Sequence, residues 1–277
     1  LAWFVMTPMI GILGKGVLVN GEMYQLAALE GLSTTEIFAN FVRPVGIGAI
    51  AMSGLIGVWK SRDIIVGAFK LAAAGSGKGD GGEVERTQSD LSTNVITAGT
   101  ILTLIAVFAF FLFVVKVTLM QAIAGLLVVA GIAFLFTTVA ARAIAIVGTN
   151  PVSGMTLMTL IISSVVLKMV GLEGESGMVA ALLIGGVVCT ALSMSGGFVS
   201  DLKIGYWLGT TPKVQQKWKF LGTIVAAFSV TGVIMVLNTS YGFSGPGALP
   251  APQANAMVAV IEPLMTGQPA PWLLYMA

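Results

Sequence analysis

The sequence contains no histidine, a single cysteine and few charged residues. Asp, Glu, Lys and Arg together make up only 9% of its 277 residues, whereas soluble domains carry about 25%. Without histidine there is no imidazole to bind a metal or carry a proton. One cysteine, Cys189, excludes an internal disulfide and a cysteine metal cage. We therefore expect neither a metal nor a cofactor, and no charged surface of the kind that a soluble protein needs.

Long apolar runs are what the sequence has instead. Hydrophobic residues make up 56% of it, and its mean hydropathy is +0.96. Residues 94–115 and 119–141 carry no charge at all. An α-helix needs about 20 apolar residues to cross about 30 Å of hydrocarbon, where the backbone must satisfy its own hydrogen bonds. The sequence therefore predicts an all-α protein, a polytopic transmembrane helical bundle forming a single domain over residues 1–277.

Seven spans and the beginning of an eighth follow from the apolar runs. We place them at residues 1–19, 41–59, 94–115, 119–141, 152–170, 177–198 and 220–238, and from about 272. Because the first and last residues already have the character of membrane helices, we expect the sequence to be a fragment of a longer protein. Small residues let membrane helices approach closely, so the pairs Ser53/Gly57 and Ala191/Ser195 are expected to mark packing faces.

Basic residues predict the orientation of these spans, since lysine and arginine are enriched on the cytoplasmic side. With seven spans, the segments in which they concentrate all fall on the same side of the membrane. The basic residues of these segments are Lys60, Arg62, Lys70, Lys78, Arg86, Arg142, Lys203, Lys213, Lys217 and Lys219. We therefore predict a cytoplasmic polar linker at 60–92 and a cytoplasmic loop at 199–219. The apolar, proline-rich 239–271 segment is predicted to be extracytoplasmic or re-entrant. The net charge of +2 gives no indication of nucleic acid, and none is expected as a partner.

The segment Gly148-Thr-Asn-Pro-Val-Ser-Gly154 interrupts two apolar runs. Pro151 disfavours a helical conformation of Asn150 and suits the first position of a new helix. Thr149 or Asn150 can cap the helix that begins near Val152. Two interpretations remain: a capped turn between helices, or a discontinuous-helix site whose N-terminus binds anionic substrate groups.

Three charged residues are candidates for proton coupling or gating. Asp201 and Lys203 follow a helix end rich in small residues, where a pair of opposite charges is either an anchor or a gate. Glu262 is the only acidic residue of the apolar 239–271 segment, and ionisable groups in apolar membrane surroundings often belong to proton pathways. The alternative is that Asp201 forms a loop salt bridge and Glu262 an interfacial cap.

Three motifs carry a resemblance to a known family. They are residues 148–156, the segment Asp201-Leu-Lys-Ile-Gly-Tyr-Trp-Leu-Gly-Thr-Thr-Pro-Lys-Val-Gln-Gln216, and Tyr241-Gly-Phe243 through Leu249-Pro-Ala-Pro-Gln-Ala254. In this order and spacing they resemble the prokaryotic branch of the oligopeptide transporter (OPT) family. The second motif is also similar to the equivalent loop of the yellow-stripe-like metal-chelate carriers. The resemblance covers most of residues 95–277 and implies that the chain is an internal or C-terminal-side portion of a longer protein.

That resemblance implies a secondary active transporter in the cell (inner) membrane, with proton-coupled symport of small oligopeptides or metal chelates. The substrate-binding candidates are Thr149, Asn150, Pro151, Ser153 and Gln253. The expected partners are the substrate, protons and lipid, and a homo-oligomer is an open possibility. A passive channel, a membrane-embedded enzyme and a structural subunit are the alternatives. An enzyme is disfavoured because no histidine, aspartate or glutamate lies within a predicted span.

Overall fold

The computed structural model places the apolar runs in helices. It describes residues 2–13, 17–19, 22–24, 34–60, 62–63, 66–67, 85–148, 150, 152–243, 245, 248–249 and 251–267. The predicted eighth span from about residue 272 and most of the predicted 60–92 linker lie outside the described residues.

The elements of this described part follow one another in a simple order. They are a π-helical turn at Ala2–Met6, α1 (Thr7–Leu13), β1 (Val17–Val19), β2 (Glu22–Tyr24), α2 (Thr34–Ile37), a π-helical turn at Phe38–Val42, α3 (Arg43–Lys60), a 3₁₀ turn at Arg86–Gln88, α4 (Thr93–Phe110), a π-helical turn at Phe111–Val115, α5 (Leu119–Val147), α6 (Val152–Met169), α7 (Gly174–Trp207), α8 (Pro212–Ser240) and α9 (Pro252–Thr266).

Five of the described helices, α4 to α8, are long and apolar enough to cross a membrane, and α3 is a shorter apolar helix. The prediction of an all-α polytopic membrane bundle is thereby confirmed. The predicted spans at 94–115, 119–141 and 152–170 agree with the helices to within a few residues. The predicted start of the fifth span at residue 152 coincides with the first residue of α6.

The prediction for residues 1–19 is wrong, because that stretch is not one continuous helix. The described helix ends at Leu13, and β1 pairs with β2 in an antiparallel hairpin that puts Val17 opposite Tyr24. The sequence held a signal for this hairpin. Asn20-Gly21 lies between the two strands, and Asn-Gly is the commonest dipeptide of tight hairpin turns.

The segment at 199–219 is also not a loop, because α7 continues through Trp207 and α8 begins at Pro212. Only the four residues between them form a turn, in which Gly209 has a φ of +68°. Glycine adopts this left-handed conformation without strain, and Pro212 suits the first turn of α8 because it has no N–H to leave unpaired. The cytoplasmic location of this turn remains a prediction.

The core of the described part lies where α5, α6 and α7 pack together. The most deeply buried side chains include Leu160 on α6 and Ile184, Val188 and Leu192 on α7. Leu160 lies directly over Gly185, which has no Cβ to obstruct it. By contrast, no described residue of α4 or α8 is buried. Those two helices therefore present their apolar surfaces outward.

The helix α9 lies within the predicted 239–271 segment and packs against α6 and α7. It runs in the same direction as α6. Gln253 contacts Ser153 near the first residues of both helices, and the Lys168 ammonium donates to the carbonyl of Leu264 near their last residues. Its 15 residues span about 22 Å, too short to cross a bilayer. Two of its side chains, Ile261 and Met265, are fully buried.

Candidate functional site

The break between α5 and α6 lies beside the middle of α7. The carbonyl of Leu192, which accepts a hydrogen bond from Asn150, stands in the middle of a helix that runs from Gly174 to Trp207. At a rise of 1.5 Å per residue, about 27 Å of α7 precedes Leu192 and about 22 Å follows it. The break therefore lies far from either end of α7.

Local sequence explains why the chain breaks here. The helix α5 ends on Gly148, whose φ of +75° is the left-handed conformation that closes many helices. The helix α6 then starts at Val152. The predicted helix break is thus present, whereas Thr149 and Pro151 lie outside the described residues.

Asn150 is fixed by contacts with α7. Its Nδ2 donates to the carbonyl of Leu192 at 3.2 Å. The side chain fits there because residue 196 is glycine: a Cβ at Gly196 would collide with the Asn150 amide and with Ile144. The Oδ1 of Asn150 is buried and receives no hydrogen bond from any described residue.

A cavity of about 260 Å³ lies between this break and α3. The first turn of α6 contributes Ser153 to its wall, and α3 contributes Ser53 and Gly57. No charged side chain is among its described lining residues. The cavity is small, since drug-sized ligands occupy about 300–1,000 Å³. It is large enough for one or two amino-acid units.

The helices α3 and α6 meet backbone to backbone beside the cavity. A Cβ at Gly54 would lie 2.5 Å from the carbonyl oxygen of Gly154. The face marked by the small pair Ser53/Gly57 does meet another helix, but the contact is at Gly54. A Cβ at Gly57 would touch nothing within 4 Å, because Gly57 lines the cavity. Sequence analysis missed α3 as a wall of this site.

Ser153 and Gln253 come together although they are 100 residues apart. The Nε2 of Gln253 donates to the Ser153 hydroxyl at 3.2 Å. This contact joins the first turns of α6 and α9, so the N-termini of two helices converge at one place. Each N-terminus carries roughly half a positive charge, and neither helix has an acidic residue in its first turn. The arrangement favours a negative group.

The sequence suggested that Asp201 pairs with Lys203. In the structure Asp201 pairs with Lys219 on α8 instead. Side chains two residues apart on a helix point in different directions, and α7 is helical throughout this region. The Lys203 ammonium lies over the rings of Tyr206 and Trp207, 5.2 and 5.3 Å from their centroids. On α7, Asp201 lies about one and a half turns beyond Gly196, towards the α7–α8 turn.

The end of the predicted linker is bound to the α7–α8 turn. Arg86 donates to the Thr211 hydroxyl at 3.0 Å and to the Gly209 carbonyl at 2.9 Å. The Gln216 amide bridges Asp90 and the backbone N–H of Leu91 at 2.7 and 2.8 Å. These contacts hold the start of α4 next to the start of α8.

Glu262 lies apart from the other candidates. It is exposed on α9, nine residues and about 13 Å beyond Gln253. Lys168, at the end of α6, stabilises the last turn of α9 by donating to its carbonyl at Leu264, as basic side chains do near helix C-termini. The structure thus brings Asn150, Ser153 and Gln253 together, with Asp201 and Glu262 elsewhere. No group of three or more metal-ligating residues occurs among the described residues.

Comparison with known proteins identifies the family of this chain. The model of the family described as OPT oligopeptide transporter protein matches residues 1–277. The chain belongs to this family. A putative oligopeptide transporter of Haemophilus influenzae is 32% identical over 96 residues, which cover 31% of this chain and 15% of that protein. No solved structure matches.

Membership of the OPT family confirms the resemblance inferred from the three motifs. It is a family of transporters, and the long apolar helices of this chain place it in a membrane. The matched stretch is a small fraction of the Haemophilus protein.

Proposed function

We propose that this OPT chain forms part of a secondary active transporter of small oligopeptides, and that the break between α5 and α6 binds the substrate. The observation that carries the proposal is the convergence of two helix N-termini on Ser153 and Gln253, beside a cavity with polar but uncharged described walls. The Haemophilus relative is a putative oligopeptide transporter. The inner membrane is the proposed location.

A peptide places its terminal carboxylate at these N-termini. Helix N-termini bind anions through free backbone N–H groups and through the helix dipole. Transporters with discontinuous helices use such ends for anionic substrate groups near the membrane midplane. The position of Asn150 beside the middle of α7 supports this arrangement. Thr149 and Pro151 belong to the same segment and are proposed to bind the substrate with it. A metal chelate with free carboxylates is the second candidate substrate.

Proton coupling through Asp201, Lys203 and Glu262 is a further part of the proposal. Asp201 and Lys219 bridge α7 and α8 just beyond the break, where opening of the ion pair would let the helices separate. Glu262 is on α9, whose first turn contacts the cavity wall through Gln253. Protonation of Asp201 would break its contact with Lys219, and protonation of Glu262 would remove a charge from the helix whose first turn contacts the cavity wall.

Uptake by proteoliposomes containing the full-length protein tests the proposal. With a proton gradient imposed, the wild-type protein should accumulate a labelled di- or tripeptide above the external concentration, and a passive channel would only equilibrate it. Asn150→Ala and Gln253→Ala should reduce uptake at least tenfold, with Asn94→Ala on the exposed start of α4 as the matched control. A peptide with an amidated C-terminus should compete poorly.

Two results would contradict parts of the proposal. Equal competition by free and amidated peptides would show that the terminal carboxylate does not bind at the helix N-termini. If Asp201→Asn and Glu262→Gln both leave the pH dependence of uptake unchanged, coupling lies elsewhere in the protein. Competition by a ferric chelate but by no peptide would favour the metal-chelate substrate. Mass measurement of the detergent-solubilised protein tests the proposed possibility of a homo-oligomer.

A further inference from the structure

The wall that α3 gives to the cavity belongs to one side of that helix. Four residues of α3 line the cavity, and they are Ile50, Ser53, Gly54 and Gly57. Positions i, i+3, i+4 and i+7 share one side of an α-helix. The exposed side chains of Leu55 and Trp59 fall on the opposite side by the same periodicity. The cavity therefore faces the side of α3 that carries its small residues.

Gly57 leaves open space in this wall. A Cβ at Gly54 would collide with the backbone of Gly154, whereas a Cβ at Gly57 would meet no described atom within 4 Å. Gly57 lies within the regular helix α3 and has no positive φ, so its backbone conformation suits any residue. Because Gly57 shares the cavity-facing side of α3 with Ser53, a side chain at residue 57 would extend into the cavity.

The two walls of the cavity offer different groups to a substrate. The first turn of α6 supplies backbone N–H groups without a partner in the helix. It also supplies the Ser153 hydroxyl, which accepts a hydrogen bond from Gln253 and keeps its own proton to donate. On α3, Ser53 already donates its proton to the carbonyl of Ile50 at 2.8 Å. The polar backbone of a substrate is therefore better held at α6, which leaves the wall of α3 for its side chains.

We infer that a side chain of the bound peptide occupies the space over Gly57, so that residue 57 sets the largest substrate side chain that the site accepts. This inference rests on the proposed function and specifies the selectivity of the same site. The cavity measures about 260 Å³, less than the sites of drug-sized ligands. Each carbon atom added to its wall at residue 57 is therefore lost to the substrate.

Competition between a small and a large dipeptide tests the inference. Uptake of labelled dialanine into proteoliposomes containing the full-length protein is measured with unlabelled diglycine or diphenylalanine as competitor. The quantity compared is the inhibition constant of diphenylalanine divided by that of diglycine. In Gly57→Leu this ratio should rise at least tenfold over the wild-type value, because leucine fills space that a phenylalanine ring needs and diglycine does not. One methylene group in an apolar pocket already discriminates about 10- to 200-fold.

Gly46→Leu is the matched control. Gly46 lies on the same side of α3, eleven residues earlier, and its Cβ would also meet no described atom within 4 Å. It is not among the residues that line the cavity, so the ratio should stay at the wild-type value. If Gly57→Leu gives no measurable uptake, Gly57→Ala decides, with an expected rise of at least threefold. An unchanged ratio in the deciding variant overturns the inference, and so does an equal rise in Gly46→Leu.

Thermal unfolding in detergent tests the open space without any transport. Gly57→Ala should unfold at or above the wild-type temperature, since alanine is the better helix former and its Cβ would meet no described atom. A midpoint lowered as far as in Gly54→Ala would mean that protein fills this space, and would overturn the inference.

Failure of the inference is distinguishable from failure of the proposed function. If the wild-type protein accumulates peptide against a gradient but the ratio does not respond to residue 57, the transporter assignment stands and the role of Gly57 is wrong. If the wild-type protein accumulates no peptide, the proposed function itself is wrong, and the inference fails with it.

Discussion

Replacing Gly54 by alanine should destabilise the contact between α3 and α6 more than the same replacement at Gly46 or Gly57 of α3. The added Cβ would lie 2.5 Å from the carbonyl oxygen of Gly154 and 2.8 Å from its carbonyl carbon. Both are backbone atoms of a helix, so no side-chain rotation relieves the collision. The two helices must move apart.

The size of the effect follows from that displacement. Restoring an ordinary contact of 3.4 Å requires the helices to separate by roughly 0.9 Å at the crossing. Overpacking of this kind costs about 1–3 kcal/mol, and the upper end applies because backbone atoms collide. Alanine regains about 1 kcal/mol of helix propensity over glycine. The net loss for Gly54→Ala is therefore about 2 kcal/mol, or roughly 4–8 °C in the midpoint of thermal unfolding.

Gly46→Ala is the matched control. It lies on the same helix, two turns earlier, and its Cβ would meet nothing within 4 Å. It should be neutral or stabilising by up to about 1 kcal/mol. Gly154→Ala should fall between the two, because its closest contact would be 3.2 Å.

The assay is the loss of monodisperse protein on size-exclusion chromatography after heating in detergent. Equal midpoints for Gly54→Ala and Gly46→Ala would refute the close crossing of α3 and α6, and with it the wall that α3 gives to the cavity. A lower midpoint for Gly46→Ala than for Gly54→Ala would refute it more strongly.

Two further predictions concern the α7–α8 turn and the topology. Gln216→Ala should raise hydrogen exchange at the amide of Leu91 roughly 5- to 10-fold, the equivalent of one hydrogen bond of about 1 kcal/mol, while Lys217→Ala should leave it unchanged. In a Cys189→Ser background, single cysteines at Ser76 and Lys217 should both resist membrane-impermeant maleimide in intact cells, since basic segments face the cytoplasm. Labelling of one alone would contradict the number of spans between them.

Helix positions were predictable because their signals are local. An uncharged run of over 20 residues indicates a helix such as α5 without reference to its neighbours. Gly148, followed after one residue by Asn150-Pro151, indicates the end of α5 and the start of α6. The hairpin after α1 carried an equally local signal, Asn20-Gly21. It was missed because the apolar residues before it also suited a membrane span.

Contacts between helices were not predictable in the same way. Asp201 and Lys203 are close in sequence, yet helical geometry turns them apart and gives Asp201 a partner 18 residues away on α8. Ser153 and Gln253 were separate candidates, and only the parallel packing of α6 and α9 joins them. The cavity wall on α3 depends on which glycine contacts α6, and a row of small residues does not specify that.

In the proposed transporter, the uncharged described walls of the cavity would separate substrate binding from proton coupling. Two helix N-termini together supply about one positive charge, and this charge comes from backbone groups that do not titrate. No described residue lining the cavity has an ionisable side chain. Binding of a peptide carboxylate there should therefore depend little on pH around neutrality, where the carboxylate stays ionised. Any steep pH dependence of uptake must then arise from groups outside the described walls, such as the Asp201–Lys219 pair, in which Asp201 lies five residues beyond Gly196 on α7.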